Sequence, residues 1–243
     1  LARNILLAKN SVLPDKIDLD RDVLKPNIAS GRIFAYDTPE YIKDMGTPDR
    51  YYQTECDINA GLLRSRNLLS KQRAVFLDRD GTINKENGFI FHPDDFILLP
   101  DAAEAIKMIN QSGYLAIVVT NQPVIARGKC SFDDLEVIHN KMETELGKKG
   151  AFIDGLYFCP HHPDRGFEGE RLEYKCICDC RKPKAGLLFK AAEDFNIDIA
   201  SSYMVGDSNT DVMAGTRAGC KDSILVSERY GLLDFVKDYI LKN

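Results

Sequence analysis

Two aspartates spaced i, i+2 at the end of an apolar run are the residues of this chain best placed to do chemistry. Ala74-Val-Phe-Leu77 leads directly into Asp78-Arg-Asp80-Gly-Thr-Ile83. A continuous apolar run of this kind reads as a buried parallel strand, and side chains on extended backbone alternate with period two, so Asp78 and Asp80 leave the strand end on the same side. Neighbouring carboxylates repel, and an oxygen-only donor set of this kind suits Mg²⁺. Gly81 lets the backbone swing close to a bound group, and Thr82 adds a hydroxyl.

Other strand ends offer complementary chemistry. Val118-Val-Thr-Asn-Gln122 closes a second apolar run, where the Thr120 hydroxyl can donate to a phosphate oxygen. Met204-Val-Gly-Asp-Ser-Asn-Thr-Asp211 closes a later one. Asp207 there either completes the cation site or caps the following helix, and Asp211 follows at i+4. Arg181-Lys-Pro183 places positive charge between these segments, with Lys182 set before a rigid proline.

A second constellation pairs Cys159-Pro-His161 with Cys178-Asp-Cys180 across sixteen intervening residues. Three thiolates and one imidazole suit tetrahedral Zn²⁺ in a structural role. Cys176 and His162 stand close enough to replace an assigned ligand, and spacing does not choose between them. Such a site would staple a long loop and aim Arg181 and Lys182. Cys56, Cys130 and Cys220 read as ordinary apolar thiols.

The elements that must position these groups alternate strand and helix from residue 74 onward, the pattern of βαβ units and a doubly wound parallel sheet. Strands are expected at Ala74–Leu77, Leu115–Val119, Phe152–Phe158, Tyr203–Val205 and Ser223–Val226. Asp101 is expected to cap a helix ending at Gly113, and Ser131 with Asp134 to form a capping box opening a helix to about Leu146. Further helices are expected at Gly186–Phe195 and Asn209–Ala218. In such a sheet the strand carboxyl ends share one edge, where open α/β sheets bind ligands. The first seventy residues break the rhythm, and about 60–71, rich in Arg, Asn, Ser and Gln, reads as a linker. The expected division is therefore 1–70 and 71–243.

The 243 residues are 44% hydrophobic and 28% charged, ordinary for a globular protein with a real core. A net charge of −5 leaves no basic footprint for nucleic acid or an anionic membrane. No run is long enough to span a bilayer and no signal peptide opens the chain. With seven cysteines, this points to a reducing compartment, hence a cytoplasmic protein. A monomer acting on a small molecule is expected.

The motifs D-x-D-G-T at 78–82, the Thr120 strand end, Lys182 and G-D-x-x-x-D at 206–211 resemble those of the haloacid dehalogenase (HAD) superfamily of phosphohydrolases. With D-R-D-G-T-I-N at 78–84, I-A-R-G at 125–128, C-P-H-H-P at 159–163 and C-D-C-R-K-P at 178–183, about 150 residues are similar to the heptose-bisphosphate phosphatases, with the histidinol-phosphatases beside them. The resemblance implies a HAD fold with a minimal cap and Mg²⁺ held by Asp78, the Asp80 backbone carbonyl and Asp207. It implies Asp78 as nucleophile, Asp80 as general acid and base, and Thr120 and Lys182 as stabilisers of the transferring phosphoryl group. Substrate contacts would fall on Glu86, Asn87, Gly88, Phe89, Asn121, Gln122, Arg181 and Ser208, with Arg181 suited to a second phosphate. Two departures stand out: Pro123 replaces a common serine, and Gly166–Lys175 stretches the zinc loop. Residues 44–51, D-M-G-T-P-D-R-Y, resemble a stretch near the end of the sugar-phosphate nucleotidyltransferase core. Residues 1–70 are thus either a transferase remnant or an unrelated extension.

Overall fold

The computed structural model describes residues 17–31, 33–34 and 38–242. By contacts the chain divides into Leu1–Thr38 and Pro39–Asn243. In the first unit, a π-type turn at Leu19–Leu24 runs into a 3₁₀ turn at Lys25–Ser30, closed by Gly31 at φ 65°. Part of the expected 1–70 segment, residues 1–16, 32 and 35–37, lies outside the described residues.

The second unit is built on five parallel strands: β1 (Arg73–Leu77), β2 (Tyr114–Asn121), β3 (Gly155–Cys159), β4 (Tyr203–Gly206) and β5 (Asp222–Leu225). They lie in the order β3-β2-β1-β4-β5. Period-two alternation divides each central strand between two cores. Val75, Leu77, Ala116, Val118, Tyr203 and Val205 face one side, and Ala74, Phe76, Leu115, Ile117, Val119 and Met204 the other. Burial on both faces is why these strands read as unbroken apolar runs. The chain order reverses at β1 and β4, so the carboxyl ends of those strands flank the crevice where such sheets bind ligands.

The helices of this unit are α1 (Pro48–Asn59), α2 (Leu62–Ser65), α3 (Ala102–Gln111), α4 (Phe132–Gly147), α5 (Gly186–Asp194), α6 (Asn209–Ala218) and α7 (Leu232–Phe235). The capping box expected for α4 forms: Ser131 Oγ accepts from the Asp134 N–H at 3.0 Å, and Asp134 accepts from the Ser131 N–H at 2.9 Å. Asp101 does not cap α3. Its backbone is already helical and its side chain makes no capping hydrogen bond.

β3 begins three residues later than its apolar pattern suggested, because side chains take over the backbone groups before it. Asn110 brackets Phe152, donating to its carbonyl at 3.0 Å and accepting from its N–H at 3.1 Å. Asp154 accepts the Ala116 N–H at 2.8 Å and forms an ion pair with Arg66. Residues 39–70 therefore lie within the larger unit, and the polar stretch 60–71 includes a buried arginine. Removing one partner of a buried pair leaves an uncompensated charge. Arg66→Met is expected to cost about 3 kcal/mol in urea unfolding, and a loss below about 1 kcal/mol would show the pair to be dispensable. Among the described residues no helix is long and apolar enough to cross a membrane.

Candidate active site and cysteine–histidine cluster

The loops after β1, β2 and β4 enclose a cavity of about 310 Å³. Asp78 and Asp80 follow β1, Thr120 and Asn121 end β2, and Asp207 and Ser208 follow β4, so three strand ends converge on one space. Ladder bonds fix the first of these, since the Asp78 N–H donates to Val205 O at 2.9 Å. Glu86, Gly88, Phe89, Gln122, Pro123, Arg181 and Lys182 also line the cavity, while Asn87 is exposed and does not.

Lys182 is the charge centre of the site. Only 2% exposed, its Nζ lies 2.9 Å from Asp78 Oδ1 and 2.6 Å from Asp211 Oδ1. Burial alone would lower its pKa, but the two carboxylates outweigh burial and hold it above the ordinary lysine value. Burial pushes Asp78 up to about 6, only partly offset by Lys182. Burial, with the Asp211 charge, raises Asp207 to about 6 as well. Acids so disfavoured in their charged form are groups that a cation would restore.

The acids whose oxygens gather within 4.8 Å of one another are Asp78, Asp207 and Asp211. Asp211, fully buried, takes a place that the sequence reading left open. The Asp80 carboxylate is not in this group but turns to Arg79, Asn84 and Gln122. The atom that the family pattern expects of Asp80 is its backbone carbonyl, which the side chain's placement leaves aside. Asp207 is not a cap, because Ser208 holds that position: its N–H and hydroxyl donate to Asp211 Oδ2 at 3.0 and 2.6 Å. Gly81, at φ 76°, presses its Cα against Asp207, and a Cβ there would overlap that carboxylate. Gly81→Ala is therefore expected to displace Asp207 and lower kcat/KM for a phosphomonoester roughly tenfold; parental activity would mean that the approach is not needed.

Several residues read as substrate contacts have their polar atoms engaged within the protein. The Asn121 amide is clamped on the Lys182 backbone, accepting its N–H at 3.0 Å and donating to its carbonyl at 3.1 Å. Gln122 donates to Asp80 Oδ2 at 2.8 Å and to Thr120 Oγ1 at 2.9 Å. Phe89 lies against the Arg127 guanidinium, 4.6 Å from ring centroid to Cζ. Arg181 donates to His161 O at 3.2 Å.

That last bond ties the cavity to the second constellation. Ligand atoms of Cys159, His161, Cys178 and Cys180 all lie within 4.8 Å of one another. Sulfur–sulfur separations of 3.2 to 3.5 Å are too long for disulfides and near the roughly 3.8 Å edge of a tetrahedron of Zn–S bonds. His162 and Cys176 stay outside: His162 Nδ1 accepts the Asp164 N–H at 3.2 Å, and Cys176 is exposed. The hydrogen bond to Cys180, followed by burial, pushes the Cys159 thiol far up, while Cys180 falls to about 5. Four soft donors converging in this way fit a tetrahedral metal.

Fold and site together define a phosphomonoester hydrolase of the HAD class. The HAD-hydrolase-like family matches residues 179–229. A D-glycero-beta-D-manno-heptose-1,7-bisphosphate 7-phosphatase of Haemophilus ducreyi is 45% identical over 156 residues, 64% of this chain and 83% of that protein. The corresponding alpha-named phosphatase of Burkholderia mallei is 41% identical over 159 residues, covering 65% and 82%. The crystal structure of D,D-heptose 1,7-bisphosphate phosphatase from B. bronchiseptica, complexed with magnesium and phosphate, superimposes with a TM-score of 0.61 at 29% identity, over 71% of this chain and all of that one. The chain belongs to the heptose-1,7-bisphosphate 7-phosphatase family.

Proposed function

We propose that this protein removes the 7-phosphate of D-glycero-D-manno-heptose 1,7-bisphosphate, as the names of its relatives state for them, in the making of a nucleotide-activated heptose. The observation that carries this reading is the meeting of Asp78, Asp207 and Lys182 at the ends of β1 and β4. Mg²⁺, held by Asp78, the Asp80 carbonyl and Asp207, would supply charge neutralisation for the phosphate oxygens. An Asp78 oxygen attacks phosphorus, the bond to the sugar oxygen breaks, and a phosphoaspartate forms. Asp80 gives its proton to the departing sugar oxygen and then takes one from the water that cleaves the acyl phosphate. Lys182 and the Thr120 hydroxyl stabilise the charge spread over the equatorial oxygens. Arg181, at the cavity wall, matches the distal phosphate through its fork.

Zn²⁺ at Cys159, His161, Cys178 and Cys180 is a structural staple in this reading, supported by their convergence and by the Arg181–His161 bond. Action in the cytoplasm as a monomer fits the composition. The D-x-G-T-P-x-x-Y run at 44–51 supports residues 1–70 as the end of a nucleotidyltransferase core. Such a partner would activate the sugar once its 7-phosphate is gone.

The test is phosphate release with Mg²⁺ from the α and β anomers of the bisphosphate, from heptose monophosphates and from histidinol phosphate. Preference for a bisphosphate anomer, with the 1-phosphate left in place, is the expected result. Preference for histidinol phosphate, or no release from any of them, overturns the assignment.

A further inference from the structure

The bulkiest fully buried side chain of the described residues is a cation with no place in the chemistry above. Arg79 is 0% exposed and lies between the two motif aspartates. A buried guanidinium needs acceptors for its donors, and its charge needs a partner. Nε donates to Asp80 Oδ1 at 3.1 Å, and Nη2 lies 2.9 Å from each Asp80 oxygen. Nη2 also reaches Gln122 Oε1 at 3.1 Å, and Nη1 lies 3.3 Å from His139 Nε2. Since a guanidinium can only donate, His139 Nε2 is the acceptor, which requires a neutral ring protonated at Nδ1. The surroundings agree: burial, then the Arg79 charge, push this imidazole down to about 3.

The Asp80 carboxyl is thereby fixed from behind. Asn84 Nδ2 donates to Oδ1 at 3.0 Å and Gln122 Nε2 to Oδ2 at 2.8 Å, so donors from three residues hold both oxygens. His139 sits on α4, which brings no residue to the cavity, and its ring lies 5.6 Å from that of Phe158 on β3. Phe158 and α4 thus fix the imidazole, the imidazole fixes Arg79, and Arg79 fixes Asp80.

The geometry points to Arg79 and His139 as positioning residues that set the Asp80 carboxyl at the leaving oxygen, acting through Asp80 and not on substrate. This rests on the phosphatase reading, in which Asp80 gives its proton to the sugar oxygen. Proton transfer needs hydrogen-bond reach, and small misplacements are costly. A sugar alkoxide leaves poorly without that proton, whereas p-nitrophenolate leaves without it. Disturbing the network should therefore slow one class of ester and spare the other, which a general loss of structure would not do.

The experiment compares kcat/KM for the heptose bisphosphate and for p-nitrophenyl phosphate in His139→Phe, His139→Gln and Arg79→Lys. This constant covers the steps through phosphoryl transfer to Asp78. His139→Phe, which removes the acceptor, should lower the sugar ester's value roughly tenfold and the aryl ester's less than about threefold. His139→Gln, which keeps an acceptor oxygen, should recover most of the loss. In an Asp80→Asn background the His139 changes should add nothing further, as expected of residues acting through one group. Equal loss on both esters, no loss in His139→Phe, or a full additional loss in the Asp80→Asn background overturns the proposal. Should His139→Phe fail to fold, Arg79→Lys, which keeps the charge but not the fork, decides the same comparison. If wild-type protein rejects the bisphosphate but hydrolyses another sugar phosphate, the substrate assignment fails, and the network is judged on that ester instead.

Discussion

Asp78→Asn is expected to lower kcat by at least about 10⁴-fold, the scale seen when a covalent nucleophile is removed. Asparagine keeps the shape but cannot form a stable acyl phosphate and loses the charge that faces Lys182. The protein should nonetheless fold. Lys182 keeps its Asp211 partner at 2.6 Å, and the metal-free parent holds Asp78 under strain of charge. Burial raises Asp78 and Asp207 from 3.8 to about 6, so across that interval the folded state binds more protons than the unfolded one. Stability from these two groups is full below the lower value and lost as pH rises through about 6. Asp78→Asn removes its share of that loss. Metal-free variant at pH 7.5 should therefore melt no lower than the parent, while Mg²⁺ should stabilise the parent more than the variant. A variant that turns over within tenfold of the parent would displace Asp78 from the nucleophile's role.

Replacing Cys178 and Cys180 together by serine is expected to abolish zinc binding and lower kcat/KM by roughly a hundredfold, the upper range for losing the support of a site. The four donors close a long loop whose C-terminal end leads into the cavity. Arg181 and Lys182 follow Cys180 immediately, and Arg181 is bonded to the His161 carbonyl. Lys182 is held twice more by Asn121, so its backbone should keep part of its place, and the residual activity should reflect that. Zinc content by atomic emission, read beside turnover of the bisphosphate, checks the effect. Zinc-free protein with parental kcat/KM would make the cluster irrelevant to the site.

Much of this arrangement is legible in the chain because its signals are local. β1 and β2 are built on continuous apolar runs that lead straight to the cavity, through Asp78 just after β1 and Thr120 and Asn121 at the end of β2. The cysteine–histidine cluster is legible because its donors come in two close pairs, although only folding separates His161 from His162 and Cys178 from Cys176. What escapes is what depends on a distant partner. Asp211 closes the G-D-x-x-x-D motif, but that Lys182, far off in sequence, comes to lie beside it shows only in the fold. The resemblance makes Asn121 and Gln122 substrate contacts, and nothing in the motif shows that the Lys182 backbone and the Asp80 carboxyl also engage their amides. Arg66 sits in a polar stretch that resembles a linker, and the carboxylate that buries it comes from the turn before β3. Arg79 falls on the alternate face of an i, i+2 pair, where nothing in the spacing reveals His139.

The central claim is that an Asp78 oxygen, not water, makes the first bond to phosphorus. The stereochemical course of hydrolysis tests it most directly, using a substrate whose transferred phosphate is made chiral with oxygen isotopes. Two successive in-line displacements, first by Asp78 and then by water, predict overall retention of configuration at phosphorus. Inversion would mean a single displacement by water and would contradict the account.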